Sequence, residues 1–146
     1  MLGIADAEHA EDAPEASNWV IVPVACAVPP PAGSAALSGR LIVHLVPGTR
    51  ARAMYGVDRI EEIYFCSFEV NAAYRQTFES AGLAVSGVGD SGEIRVVEMA
   101  SHPFYVATLF QPQRSSTPAS PDPLVTAFLR AAIDHRLAAP AYPRSM

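Results

Sequence analysis

The 146 residues suit one domain, and with half of them hydrophobic they can bury a core of their own. The formal net charge is -5, lysine is absent and the arginines are scattered, so the clustered basic surface that nucleic-acid binding needs is excluded. No apolar run approaches the roughly 20 residues of a membrane span, and the acidic, Ala-rich start lacks the basic-then-apolar pattern of a secretory signal.

Along the chain, Met1–Asn18 reads as a loop or a frayed helix end. The Val- and Ile-rich run Trp19–Val28 predicts a buried strand, and the proline cluster that follows, Pro29–Gly39, predicts a turn. Arg40–Val46 predicts a second strand, and Pro47–Gly56 one or two helical turns ended by Gly56. Arg59–Val70 reads as a third strand, and Asn71 as the cap of a helix that stops at Gly82. Leu83–Gly89 and Glu93–Ala100 read as strands joined by a hairpin turn at Asp90–Gly92. In the second of these, Ile94, Val96 and Val97 are apolar and Glu93, Arg95 and Glu98 polar. The continuous apolar run Phe104–Phe110 predicts a strand buried on both faces. Ser120–Ala138 predicts a helix with Leu124, Phe128 and Leu129 on one face and Ile133 further along.

The expected product is an α/β domain over residues 1–138 with a mixed sheet, a crossover within Arg59–Gly87 and antiparallel hairpins, followed by a tail over 139–146. The two cysteines, Cys26 and Cys66, lie far apart without a CxxC. They form no disulfide framework, which favours a cytoplasmic, reduced protein. Cys26 falls in an apolar run and Cys66 mid-strand beside Phe65 and Phe68, positions where cysteine behaves as a small hydrophobe. His9, His44, His102 and His135 stand at no ligand spacing from one another or from a cysteine, so no metal is expected. No phosphate loop, dinucleotide fingerprint or nucleophile elbow occurs, so no cofactor is expected.

Gln111 and Gln113 then stand out, two residues apart where a strand ends in a turn. A carboxamide neither gives nor takes a proton near neutral pH, so the pair cannot act as a general base and its orienting acid. They are either polar residues finishing a turn or hydrogen-bonding groups beside a site.

The stretch "FEVNAAYRQTFESAGLAVSGVGDSGEIRVVEMASHPFYVATLFQPQ" (Phe68–Gln113) resembles the C-terminal half of the glutamine amidotransferase domain of CTP synthases. The resemblance continues upstream through "SGRLIVHLVPGTRARAMYG" and downstream through "PLVTAFLRAA". It implies a class I, flavodoxin-like sandwich and, for the family, hydrolysis of glutamine by a Cys-His-Glu triad that feeds ammonia to a synthetase. The family's His and Glu match Gln111 and Gln113, and its arginine-rich glutamine-binding stretch is replaced by "IYFCS" (Ile63–Ser67). Met1 matches a position downstream of the family's nucleophile elbow, so no residue is assigned as the nucleophile. "ATLFQP" and "LGIADAEHAE" look closer to stand-alone CTP-synthase-like proteins without a synthetase domain, some of them selenoproteins. In that group Gln is usual at position 111 and Glu at 113. The resemblance thus implies a domain without glutaminase activity of its own, with Cys66, Phe68, Gln111 and Gln113 as candidate pocket residues. Its expected partner is a second copy of the chain or a missing N-terminal half. The alternative is the C-terminal part of an active enzyme whose nucleophile lies upstream.

Overall fold

The computed structural model of the chain describes residues 3–24 and 38–138. The strands are β1 (Glu8–His9), β2 (Trp19–Pro23), β3 (Ser38–Leu45), β4 (Arg59–Phe65), β5 (Phe68–Val70), β6 (Leu83–Val88), β7 (Ile94–Met99) and β8 (Val106–Thr108). The helices are α1 (Arg50–Tyr55), α2 (Arg75–Ser80), α3 (Pro112–Ser115) and α4 (Pro123–Ala138), with a 3-10 turn at Ala72–Tyr74 before α2. The strands form a small mixed sheet, β1-β2-β5, and an antiparallel sheet, β4-β3-β6-β7-β8. This is the α/β class with mixed pairing and antiparallel hairpins that the sequence predicts.

β4 and β6 both run antiparallel to β3 and therefore parallel to each other, so the helix between them is the expected crossover with β3 interposed. β3 and β6 pair only at His44↔Val88 and Leu45↔Gly87, while β3 pairs with β4 along nearly its whole length. The N-terminal half of β3 and its partner β4 thus reach past the β6–β7 turn as a two-stranded arm. Beyond β8 the chain curls back: Leu109 N–H donates to Arg95 on β7, and Gln111 N–H to Ile63 on β4. The turn after β8 is in this way held by the opposite edge of the same sheet.

Local chemistry accounts for the ends of the elements. Thr49 caps α1 by accepting from Arg52 N–H, and Gly56 closes it at φ 71°, a left-handed conformation that a Cβ disfavours. Asn71 accepts from Ala73 N–H at the head of the 3-10 turn, as its N-cap role predicts. The core lies on the α1 side of the large sheet, where Val43, Leu45, Ala51, Val96 and Phe110 are buried against Leu41, Met54 and Ile60. β3 supplies Val43 and Leu45 to that face and leaves His44 exposed, the period-2 pattern of a half-buried strand.

Several expectations need correcting. The supposed loop before Asn18 contains β1, which pairs in parallel with β2. The first long strand is seen as Trp19–Pro23; Cys26 and most of the proline cluster lie outside the described residues, and Ser38 and Gly39 belong to β3. Arg59–Val70 is two strands in two different sheets, with Cys66 and Ser67 at the break, so Cys66 is not mid-strand. In β7 the inward positions are Ile94, Val96 and Glu98, because strict alternation overrides the hydrophobicity of Val97. Phe104–Phe110 is not a doubly buried strand: only Val106–Thr108 pair, at the sheet edge, with Ala107 exposed. The predicted helix starts at Pro123, and none of its side chains is buried. Phe128, Leu129, Ile133 and Leu137 are each more than half exposed. The expected tail, 139–146, lies outside the described residues.

Candidate functional site

Two of the sequence-nominated residues share a cavity. It has a volume of about 410 Å³, and its wall includes Val24, Arg40, Tyr64, Cys66, Phe68 and Arg95. It lies where the β3–β4 arm overhangs the β6–β7 turn, and the break between β4 and β5 brings Cys66 and Phe68 to it. Cys66 Sγ accepts from Phe68 N–H at 3.4 Å, and the Phe68 ring packs on the His9 imidazole at 4.9 Å between centroids. Among the described residues no imidazole or carboxylate hydrogen-bonds to the thiol. A cysteine nucleophile needs such a base, or a helix N-terminus, to form its thiolate.

Charge in this cavity is mixed. Arg95 reaches Glu69 at 3.5 Å and Glu93 at 3.6 Å, tying β7 to β5 of the small sheet. Arg95 Nε and Glu69 Oε2 are nonetheless buried without a well-formed hydrogen bond. A Cβ at Gly89 would displace the Glu93 carboxyl, the movable end of that side chain. On the exposed rim, His44 Nε2 lies 2.7 Å from Asp90 Oδ1. Register places His44 opposite Arg59 and Ser38 opposite Phe65, so this imidazole sits at the other end of β3 from the Cys66 break.

Gln111 and Gln113 are not part of that wall. Gln111 stands at the N-terminus of α3 and is held through its backbone by Ile63; Gln113 lies on α3 and is exposed. Neither carboxamide makes a hydrogen bond among the described residues. The four nominated residues therefore divide into a cavity pair, Cys66 with Phe68, and a turn pair, Gln111 with Gln113. No group of three or more His, Cys, Asp or Glu side chains that could hold a metal occurs among the described residues.

Sequence reasoning missed a third cluster, just beneath the turn pair. Glu62 on β4 and Asp122 before α4 are only 4% and 6% exposed, and among the described residues no cation pairs with either. Ser115 Oγ donates to Glu62 Oε2 at 2.9 Å, and Tyr55 Oη donates to Asp122 at 3.3 Å. The adjacent hydroxyls of Ser115 and Ser116 bring the two groups together, the first bonding Glu62 and the second accepting from Asp122 N–H at 3.0 Å. Asp122 Oδ1 also accepts from Leu124 N–H at 2.8 Å and Val125 N–H at 3.2 Å, which makes it the N-cap of α4. Burial raises the Glu62 carboxyl above the ordinary range; the Ser115 hydrogen bond opposes this, and the neighbouring Asp122 adds to it. Burial, then the two carboxylates, raise the Tyr55 phenol as well. The signal was present in "RIEEIYF": alternation along a strand turns one of two adjacent glutamates inward.

No protein-family model matches the chain. It is 46% identical over 98 residues to a CTP synthase of Chloroflexus aurantiacus, an alignment covering 66% of this chain and 18% of that protein. It is 38% identical over 136 residues to a CTP synthase of Pyrobaculum aerophilum, covering 91% of this chain and 26% of the relative. Its structure superposes on the glutaminase domain of Trypanosoma brucei CTPS, solved with acivicin bound, with TM-score 0.81 and 26% identity, over 99% of this chain and 56% of that one. The aligned segment thus spans 18% to 26% of the length of these relatives, and a little over half of the glutaminase-domain chain.

Proposed function

Because the chain is a homologue of the glutaminase domain of CTP synthase, we propose that it keeps that domain's scaffold without hydrolysing glutamine by itself, and serves as a binding or structural module. The observation carrying this reading is the identity and placement of Gln111 and Gln113. By the resemblance, the turn after β8 holds carboxamides where the family carries proton-transfer groups; neither residue lines the cavity containing Cys66. Cys66, which has no base among the described residues, and a pair of carboxamides supply none of the steps of covalent amide hydrolysis. Loss of triad members typically costs about 10⁴ or more in rate. By its kinship the module belongs to cytoplasmic pyrimidine nucleotide metabolism.

A second reading is favoured by the exposed apolar side chains of α4 and by the partial span of the related domain. In it the chain is one part of an active, stand-alone CTP-synthase-like enzyme whose nucleophile comes from a complementary segment. Gln111 and Gln113 then act as hydrogen-bonding groups beside the reacting amide.

Incubating the purified chain with glutamine and measuring ammonia separates the two. Release no faster than the protein-free control is expected. Ammonia above that level overturns the first reading. Ammonia appearing only when a nucleophile-bearing glutaminase segment is added supports the second.

A further inference from the structure

The buried carboxyl pair beneath the turn plays no part in the proposed function. Four elements converge on it: β4 through Glu62, α1 through Tyr55, α3 through Ser115, and the head of α4 through Asp122. Across β4, the residue paired with Glu62 is the apolar Leu41 of β3. Among the described residues the titratable groups facing Glu62 are therefore Asp122 and Tyr55, and no arginine or histidine compensates them.

Two adjacent carboxylates without a counter-charge repel strongly in such a buried place, so one of them keeps a proton. Backbone N–H groups decide which. Asp122 receives two of them at the helix start, where negative charge is favoured, and Glu62 receives none. Glu62, without such donors, is thus the member whose proton is held more firmly than an ordinary carboxyl holds it.

We propose that the Glu62–Asp122 pair is a proton-dependent latch: while the proton is shared, α3 and the head of α4 are clamped to β4, and when it is lost they are released. The released segment carries Gln111 and Gln113, so the latch governs the position of the turn whose backbone hangs on Ile63. The sign follows from the chemistry. Folding raises the proton affinity of Glu62, so its contribution to stability is complete below the ordinary carboxylate range. That contribution is lost as pH rises toward the value Glu62 has in the folded chain.

The test uses the intact chain, with the Glu62 carboxyl followed by carbon-13 NMR and amide-exchange protection corrected for intrinsic rates. Protection at residues 113–116 and 124–126 is expected to fall about ten-fold or more across the Glu62 titration, while β6 and β7 keep theirs. Glu62→Gln, which keeps the shape without the charge, is expected to hold the segment protected at every pH. Asp122→Asn serves if Glu62→Gln does not fold, and should bring the Glu62 titration back toward the ordinary carboxylate range. A Glu62 that titrates in that range in the unaltered chain overturns the proposal. So does a pH-dependent release that persists in Glu62→Gln.

Discussion

At residue scale, tolerance is decided by what each side chain meets. Gly87 occupies a β6 position where the register slips, and a Cβ there would lie 2.7 Å from Val96 Cγ2 and 2.9 Å from Val43 Cγ1. Both are core walls and have no room to retreat. Gly87→Ala is therefore expected to destabilise the chain by about 1–3 kcal/mol, read as a lower urea midpoint at unchanged slope. The same scale shows where sequence reading succeeds. Asn71, Gly56 and the Gly89–Gly92 turn act through their own backbone chemistry, which needs no knowledge of distant partners. Glu98 shows where it fails. It reads as a solvent-facing charge, but it is buried and its two carboxylate oxygens accept from Arg50 and Ala51 N–H at the head of α1. Only the position of α1, 47 residues away in sequence from Glu98 at the nearer contact, reveals that partner.

At the scale of elements, the informative contrast is between helix and strand. α4 was legible as a helix from its periodicity, yet its apolar stripe faces outward: Leu129, Ile133 and Leu137 follow one another at four-residue steps, each exposed. Composition announces an amphipathic helix but does not say what covers it. Removing apolar surface that is already exposed costs little, whereas emptying a filled core costs much. Ile133→Ser is accordingly expected to change stability by less than about 0.5 kcal/mol, and Phe110→Ala to lower it by about 3–5 kcal/mol. Chemical denaturation of the two variants side by side checks the pair. A large loss at Ile133 would mean that α4 is covered in the free chain. The reading of Phe104–Phe110 erred for a related reason: a continuous apolar run suits a doubly buried strand, but here Phe110 leaves the sheet to fill the core against α1.

At the scale of the whole molecule, the fold class and the kinship were legible, because they rest on the order and spacing of many residues. The division of the nominated site was not. Cys66 and Phe68 were separated from Gln111 and Gln113 by the curl that carries the chain from the β8 edge to the β4 edge, a long-range feature that spacing does not encode. The outward stripe of α4 has its consequence here. A chain of 15.5 kDa with that much apolar helix on its surface is expected to associate, either with itself or with a complementary segment. Size-exclusion with light scattering across a concentration series decides it: a mass that rises with concentration is the expected result, and 15.5 kDa throughout rejects a required partner.

The links that hold α3 and α4 in place also bear on the order in which the protein is built. Ser115 meets Glu62 across 53 residues and Tyr55 meets Asp122 across 67, far more than separates neighbouring strands of a hairpin. Closing such long loops is entropically slow, so the β6–β7 hairpin is expected to assemble early and α3 and α4 to dock last. Until α3 docks, Glu62 on β4 lacks its Ser115 partner and is open to water and to other chains.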